Sequence, residues 1–550
     1  METTIALPID QVATAAGIDP RLLEPHGRFV AKLPLEVDGP PTAALVLVTA
    51  ITPTPLGEGK TTTAIDLAQG LARLGHRPVL ALRQPSLGPT FSIKGGAAGA
   101  GRSQVVPSEL LNLHLTGDFH AVTSAHNLLA AMVDNHLHHG NATGLDPHTI
   151  TWPRVLDVND RALRHIVVGL GGRADGVPRQ ASFEITAASE VMTILALAHD
   201  LADLRARLAR IVVGYRFDGS AVTAEDLGAA GSMAVLLRDA LRPNLMQTSE
   251  GTPAIIHTGP FGNISTGNSS VVADLVGARL GDFLITEAGF GTDLGAERYV
   301  NIKSRETGLA PRVAVVVVTV RALKAHSGHF TILPGKALPP ELFQEDPAAV
   351  RAGLHNLDHH LETVRRWGVP AVVALNAFPE DRPSEHAVVL EHVATQGVPA
   401  VVARHVADGG EGAEDLARAV VAAAGQDATL VRDYELDEPL ADKIDAVARR
   451  VYGASGIELS REAARELDRF TGLGFGGLPV VVAKTHLSLT HQPRLVADDW
   501  LLPVREVRLA AGAGYVYAIC GTMSTMPGLP THPNAERIDL DAVGEVTGLI

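Results

Sequence analysis

Within the stretch TPTPLGEGKTTT, residues 52–63, four residues have the types and spacing to hold a nucleoside triphosphate. Gly57 and Gly59 supply backbone freedom, so that successive amides can turn inward onto phosphate oxygens. Lys60 can reach the terminal phosphates, and the Thr61 hydroxyl can ligate Mg²⁺. The general phosphate-loop pattern asks for glycine at position 54. This chain has Thr54 there, between Pro53 and Pro55, which fix the backbone ahead of Gly57. The expected ATP contacts are Thr54, Pro55, Leu56, Gly57, Glu58, Gly59, Lys60, Thr61 and Thr62, with Thr61 as the metal ligand.

Other segments carry chemistry-bearing residues. Arg83 opens LRQPSLGPTFSIKGGAAGAG (82–101) and is suited to a planar two-pronged grip on a phosphoryl group, or to a surface ion pair. The segment 112–135 holds His114, Asp118, His120, His126 and Asp134, but no pair at zinc-ligand spacing. Asp118 follows Thr116-Gly117 at a helix start. It is either an N-terminal cap or an active-site carboxylate able to hold or deprotonate an amine. Glu250, Glu287 and Asp293 lie in polar, glycine-rich loops, where carboxylates serve Mg²⁺ waters or turns alike. Cys520 follows the strand pattern GYVYAI and reads as core.

These residues need a frame. Short β-branched runs alternate with alanine- and leucine-rich helical stretches, which is the texture of a parallel α/β sheet. Strands are expected at 44–51, 78–82, 166–170, 211–213, 254–257, 283–286 and 313–320, with a helix from Lys60 to about Leu74. The first unit is strand, glycine loop, helix, strand, the context a phosphate loop requires. Arg83 then falls at the carboxyl end of the second strand, where open α/β sheets bind ligands. The fold class is therefore α/β, with a P-loop NTPase-like parallel-sheet domain over residues 1–345. Two smaller α/β domains follow, 346–440 with strands at 369–375 and 400–403, and 441–550 with strands at 479–483, 504–509 and 514–519.

Composition narrows the class. The 550 residues carry 46 basic and 61 acidic side chains, a net charge of −15, which disfavours nucleic acid and anionic membrane as partners. No apolar run reaches the roughly 18–20 residues of a membrane helix. The N-terminus lacks a secretory pattern, and the single cysteine excludes an internal disulfide, so a cytoplasmic location is expected.

Taken together, PLGEGKTTT, PSLGPTFSIKGGAAGAGRSQVVP, NLHLTGDFHAVTSAHNLLAAMVDNH, RPNLMQTSEGTPAIIHTGPFGNIS, TEAGFGTDLGAERYVNIKSR, TVRALKAHSG, GGEG and AGAGYVYAICGTMSTMPGLP resemble, in order and nearly end to end, the formate–tetrahydrofolate ligases. The resemblance implies a three-domain homotetramer. It implies ATP with Mg²⁺, tetrahydrofolate as co-substrate and a monovalent cation. ATP would phosphorylate formate to formyl phosphate, and N10 of tetrahydrofolate would take the formyl group. Lys60, Arg83 and Asp118 would be the catalytic residues, with Arg83 on formyl phosphate and Asp118 near the folate amine. The pterin would lie against Phe378. Three positions depart from the family pattern on the folate side: Gln84 replaces a glutamate, Val406 a tryptophan and Ala377 a lysine. They leave two alternatives open, a related acyl-phosphate ligase with a changed acceptor and a folate- or nucleotide-binding protein without turnover.

Overall fold

The computed structural model describes residues 6–549 apart from 56, 331, 333–337, 493–498 and 522, with backbone only at 94 and 405. Leu56 of the expected nucleotide loop lies outside the described residues. After two short strands at Glu24–Pro25 and Ala31–Lys32, strand β1 (Ala44–Ala50) is followed by helix α1 (Lys60–Arg73) and strand β2 (Pro78–Leu82). Helix α2 (Asp118–His138) comes next, then strands β3 (Asn244–Thr248), β4 (Pro253–Ile256), β5 (Phe283–Glu287) and β6 (Val313–Val318). Helices α3 (Val320–His326) and α4 (Pro347–Arg366) precede β7 (Ala371–Asn376) and β8 (Ala400–Ala403).

These strands form one sheet in the order β3-β4-β2-β5-β1-β6-β7-β8. All neighbours are parallel except β3 and β4, which form an antiparallel pair at one side. The central strands explain the choice of sheet. Val313–Val318 is buried at every position, as a β-branched run covered by helices on both faces must be. β7 and β8, from the 346–440 segment, continue the same sheet by pairing onto β6. The 441–550 segment has small sheets of its own, Val480–Ala483 beside Tyr515–Ile519 and Gly456–Leu459 beside Leu501–Val504.

Three strand expectations need correction. Ile166–Val168 and Val212–Tyr215 do not join the parallel sheet. Each pairs antiparallel with a nearby strand, Arg179–Ala181 and Ala221–Thr223. A β-branched run tells of extended backbone but not of its partner. The run 504–509 is two strands split at Arg505, one parallel to Gly456–Leu459 and one antiparallel to Tyr515–Ile519. Among the described residues no helix is long and apolar enough to cross a membrane.

Helix α1 is buried over most of its circumference, between the sheet and the 409–424 segment. Gly70 permits this approach, since a Cβ there would meet the Ala413 carbonyl oxygen at 2.9 Å. The glycine-rich GGEG turn is thereby pinned against the helix that leaves the phosphate loop. Glu250 fastens the same contact, accepting from Arg73 Nε at 2.7 Å and from the Gly410 amide at 3.0 Å.

Candidate functional site

The loops leaving β1, β2 and β5 emerge side by side at the carboxyl edge of the sheet, because β5 lies between β1 and β2. Gly59, with φ of 75°, caps α1, and Lys60 is the first helical residue. Gly57 has the same left-handed φ. Successive amides of such a turn can face one anion, with the helix N-terminus behind them.

Glu58 accounts for the missing glycine. It is 1 % exposed and folds back to accept from the Thr54 amide at 2.7 Å and from Thr54 Oγ1 at 2.9 Å. Its other oxygen accepts from Thr319 Oγ1 at 2.7 Å, the residue that caps α3. A threonine supplies an extra donor to this carboxylate, which glycine would not. Ahead of it, Thr52 is held on three sides. Its amide donates to Asn356 Oδ1 at 3.1 Å, its hydroxyl pairs with His360 Nε2 at 3.0 Å, and its carbonyl accepts from His326 Nε2 at 2.8 Å. Burial pushes the His360 imidazole down to about 3, which makes it neutral, and the Asn356 amide donates to the same hydroxyl at 3.0 Å, leaving the hydroxyl proton for Nε2. On the far side, Asn376 Nδ2 at the end of β7 donates to the Glu58 carbonyl at 2.8 Å.

Thr61 Oγ1 donates to Glu287 Oε2 at 2.7 Å, and Arg83 Nη2 lies 3.7 Å from Glu287 Oε1. Arg83 and Thr61, expected from sequence, are therefore brought together by a third residue that sequence left undecided. The two other carboxylates in question are structural. Glu250 ties down the GGEG turn, and Asp293 is buried in an ion pair with Lys484 at 2.6 Å. Thr61 and Glu287 form an oxygen pair beside the phosphate loop, the donor type that Mg²⁺ takes alongside nucleotide phosphates. Among the described residues no cluster of three or more histidine, cysteine or carboxylate side chains could hold a metal ion.

Several buried polar atoms at the ends of β2, β4 and β5 have no protein partner. They include Arg83 Nε, both ends of the Gln84 amide, Thr258 Oγ1 and Thr286 Oγ1. Gln84 is 2 % exposed. Buried polar groups are almost always satisfied, so this edge is built to meet a polar ligand or ordered water. Thr258 also sits at φ 53°, a conformation uncommon for a β-branched residue and typical of strained functional turns.

Asp118 is the first residue of α2, after Gly117 at φ 87°. It is 3 % exposed, and its carboxylate is shared between Lys32 Nζ at 2.7 and 2.8 Å and Asn244 Nδ2 at 2.8 Å. Asn244 begins β3, in register with Ile256 and through it with Leu82. Lys32 was not singled out from sequence: a lysine on a two-residue strand carries no local signal of burial.

Phe378 and Val406 follow the adjacent strands β7 and β8, where the Ala377 amide bonds the Ala403 carbonyl at 3.0 Å. Val406 is 55 % exposed, and its carbonyl accepts from the Arg102 amide at 3.3 Å, which brings the Gly95–Gly101 run alongside. Asp118 is tied to β3, whereas Phe378 follows β7. His126 takes no part in metal chemistry. It stacks on Trp152, pairs with Ser189 Oγ and the Pro153 carbonyl, and burial pushes it down to about 3. Cys520 is core, its thiol pushed up to about 12 by burial.

The family model described as formate–tetrahydrofolate ligase matches residues 2–550. A formate–tetrahydrofolate ligase of Cutibacterium acnes is 59 % identical over 548 residues, covering 98 % of this chain and 97 % of the relative. One from Saccharopolyspora erythraea is 57 % identical, with 99 % and 98 % covered, and one from Paracoccus denitrificans is 53 % identical at the same coverage.

Proposed function

The chain belongs to the formate–tetrahydrofolate ligase family, and on that premise we propose how its residues divide the ATP-dependent joining of formate to tetrahydrofolate. The observation that carries the proposal is the meeting of Thr61, Glu287 and Arg83 at the ends of three neighbouring strands. The P-loop-type cradle of residues 54–62 binds the ATP phosphates, with Lys60 on the terminal ones. Thr61 and Glu287 are the residues that would hold Mg²⁺, which when bound offsets negative charge on the β- and γ-phosphates. A formate oxygen attacks the γ-phosphorus as the bond to ADP breaks, giving formyl phosphate. Arg83 grips that phosphate through its planar guanidinium and shields the mixed anhydride from water. N10 of tetrahydrofolate then attacks the formyl carbon, phosphate leaves and N10 gives up its proton, giving 10-formyltetrahydrofolate.

The pterin stacks on Phe378, with Val406 as a weak opposing wall. Asp118, engaged by Lys32 and Asn244, is the carboxylate read as standing near the folate amine, able to hold or deprotonate it. Family membership also supports a monovalent-cation requirement, a homotetramer and a cytoplasmic location. Light scattering and a potassium titration test the first two.

The deciding assay combines protein, Mg-ATP, formate and tetrahydrofolate, and converts product in acid to the methenyl form that absorbs in the near ultraviolet. Product that requires all three substrates supports the reading. ADP formed with formate but without folate product favours a changed acceptor. Lys60→Ala is expected to abolish ADP formation, and full activity in that variant would overturn the phosphate-loop assignment.

A further inference from the structure

One guanidinium touches both halves of the site. Arg321 is the second residue of α3, which starts directly after β6. Its Nη2 donates to the Gly57 carbonyl of the phosphate loop at 2.9 Å. The same guanidinium lies over the Phe378 ring, with Cζ 3.8 Å from the ring centroid. The sheet order makes the bridge possible, because β6 separates β1 from β7 by one strand on each side. Thr319, two residues earlier, reaches the Glu58 carboxylate of the same loop. The turn bearing Phe378 is held from behind, its amide donating to Asp381 Oδ2 at 2.9 Å. The ring face is contacted by the Arg321 guanidinium. Arg321 Nε is buried with no protein partner, and Glu58, Glu380 and Asp381 supply the negative charge around the guanidinium.

We propose that Arg321 is a positioning residue that couples nucleotide binding at the phosphate loop to pterin binding on Phe378. The proposal rests on the reading of Phe378 as the pterin platform. Phosphate bound to the loop amides fixes the Gly57 peptide, whose carbonyl anchors Arg321. The anchored guanidinium then holds the Phe378 ring in one orientation, so that tetrahydrofolate meets a platform already ordered. Ordering done by the first ligand is not repeated for the second, which is positive coupling, and by linkage it runs both ways. Arginine suits the role because one planar group can donate at its edge and stack on its face, whereas a lysine ammonium is a point charge.

The test is calorimetric titration of tetrahydrofolate into the full-length protein, with and without a non-hydrolysable ATP analogue and Mg²⁺, for wild type, Arg321→Met and Arg321→Lys. In wild type the nucleotide should lower the tetrahydrofolate Kd about fivefold or more. In Arg321→Met that change should vanish and the Kd should rise about tenfold, the scale of a partly desolvated cation–π contact. Arg321→Lys should restore folding and charge but not the coupling. A wild-type Kd indifferent to nucleotide, or an Arg321→Met enzyme that keeps the full nucleotide effect, overturns the proposal. Hydrogen exchange in wild type gives a readout that needs no variant. Amides of residues 377–382 should exchange more slowly with nucleotide bound, and an unchanged rate overturns the coupling. If Phe378→Ala binds tetrahydrofolate as tightly as wild type, the platform reading falls and the proposal with it. Persistent coupling in Arg321→Met sinks the proposal alone.

Discussion

Glu58 offers a direct test of why this loop tolerates threonine where glycine is usual. Its carboxylate is 1 % exposed and accepts three hydrogen bonds, two from Thr54 and one from Thr319. In Glu58→Ala the hydroxyls can rotate toward other acceptors, but the Thr54 amide cannot turn. A bond to a charged acceptor nets about 1.5–3 kcal/mol, and an orphaned buried donor costs about 1–3 kcal/mol. The three contacts share one group and do not sum, so a loss of about 3–5 kcal/mol is expected. Glu58→Gln behaves differently. Its oxygen can face the Thr54 donors, and its amide can donate to Thr319 Oγ1, which also accepts from the Ala322 amide at 3.1 Å. That variant should lose about 1–2 kcal/mol. The assay is urea denaturation at constant m, paired with the KM for ATP. Both quantities should worsen in the order wild type, glutamine, alanine. An alanine variant within about 1 kcal/mol of wild type, with an unchanged KM for ATP, would show that this carboxylate does not hold the loop. Thr54→Gly, which restores the general pattern, should then destabilise rather than improve the enzyme, by about 1–2 kcal/mol from one lost hydrogen bond and added chain entropy.

Further outcomes follow from the same geometry. Glu287→Gln should lower kcat about a hundredfold and raise the Mg²⁺ concentration needed for half-maximal rate, since Thr61 and Arg83 both lean on that carboxylate; an unaltered Mg²⁺ titration would refute its role. Val406→Trp should lower the KM for tetrahydrofolate by about 2- to 10-fold, because the exposed position can accept a ring that adds a second stacking face; a rise would count against the pterin placement. His126 is neutral in the fold, pushed down to about 3 by burial, but takes a proton near 6.5 when unfolded. Between those values the unfolded chain holds the extra proton, so the contribution is full above about 6.5 and falls as pH falls, by roughly 2 kcal/mol at pH 5. His126→Gln should therefore lose less stability than wild type between pH 7 and pH 5, and equal losses in thermal melts would refute the assignment.

What was legible in the sequence was local. The strand, glycine loop and helix around Lys60 follow from a β-branched run, two left-handed glycines and a helix start within twenty residues, and the structure has them at 44–50 and 60–73. The order of family motifs along the chain was legible for the same reason. Thr319 was also within reach, as a capping threonine directly after an apolar run. What tertiary structure decided was which strand ends meet. Setting β5 between β1 and β2 carries Glu287 to Thr61 across 226 positions of chain, and setting β6 between β1 and β7 lets Arg321 reach both Gly57 and Phe378. Strand neighbours are chosen by the packing of whole helices and sheet faces against one another. That choice leaves no mark in the few residues at each strand end, where the chemistry is done.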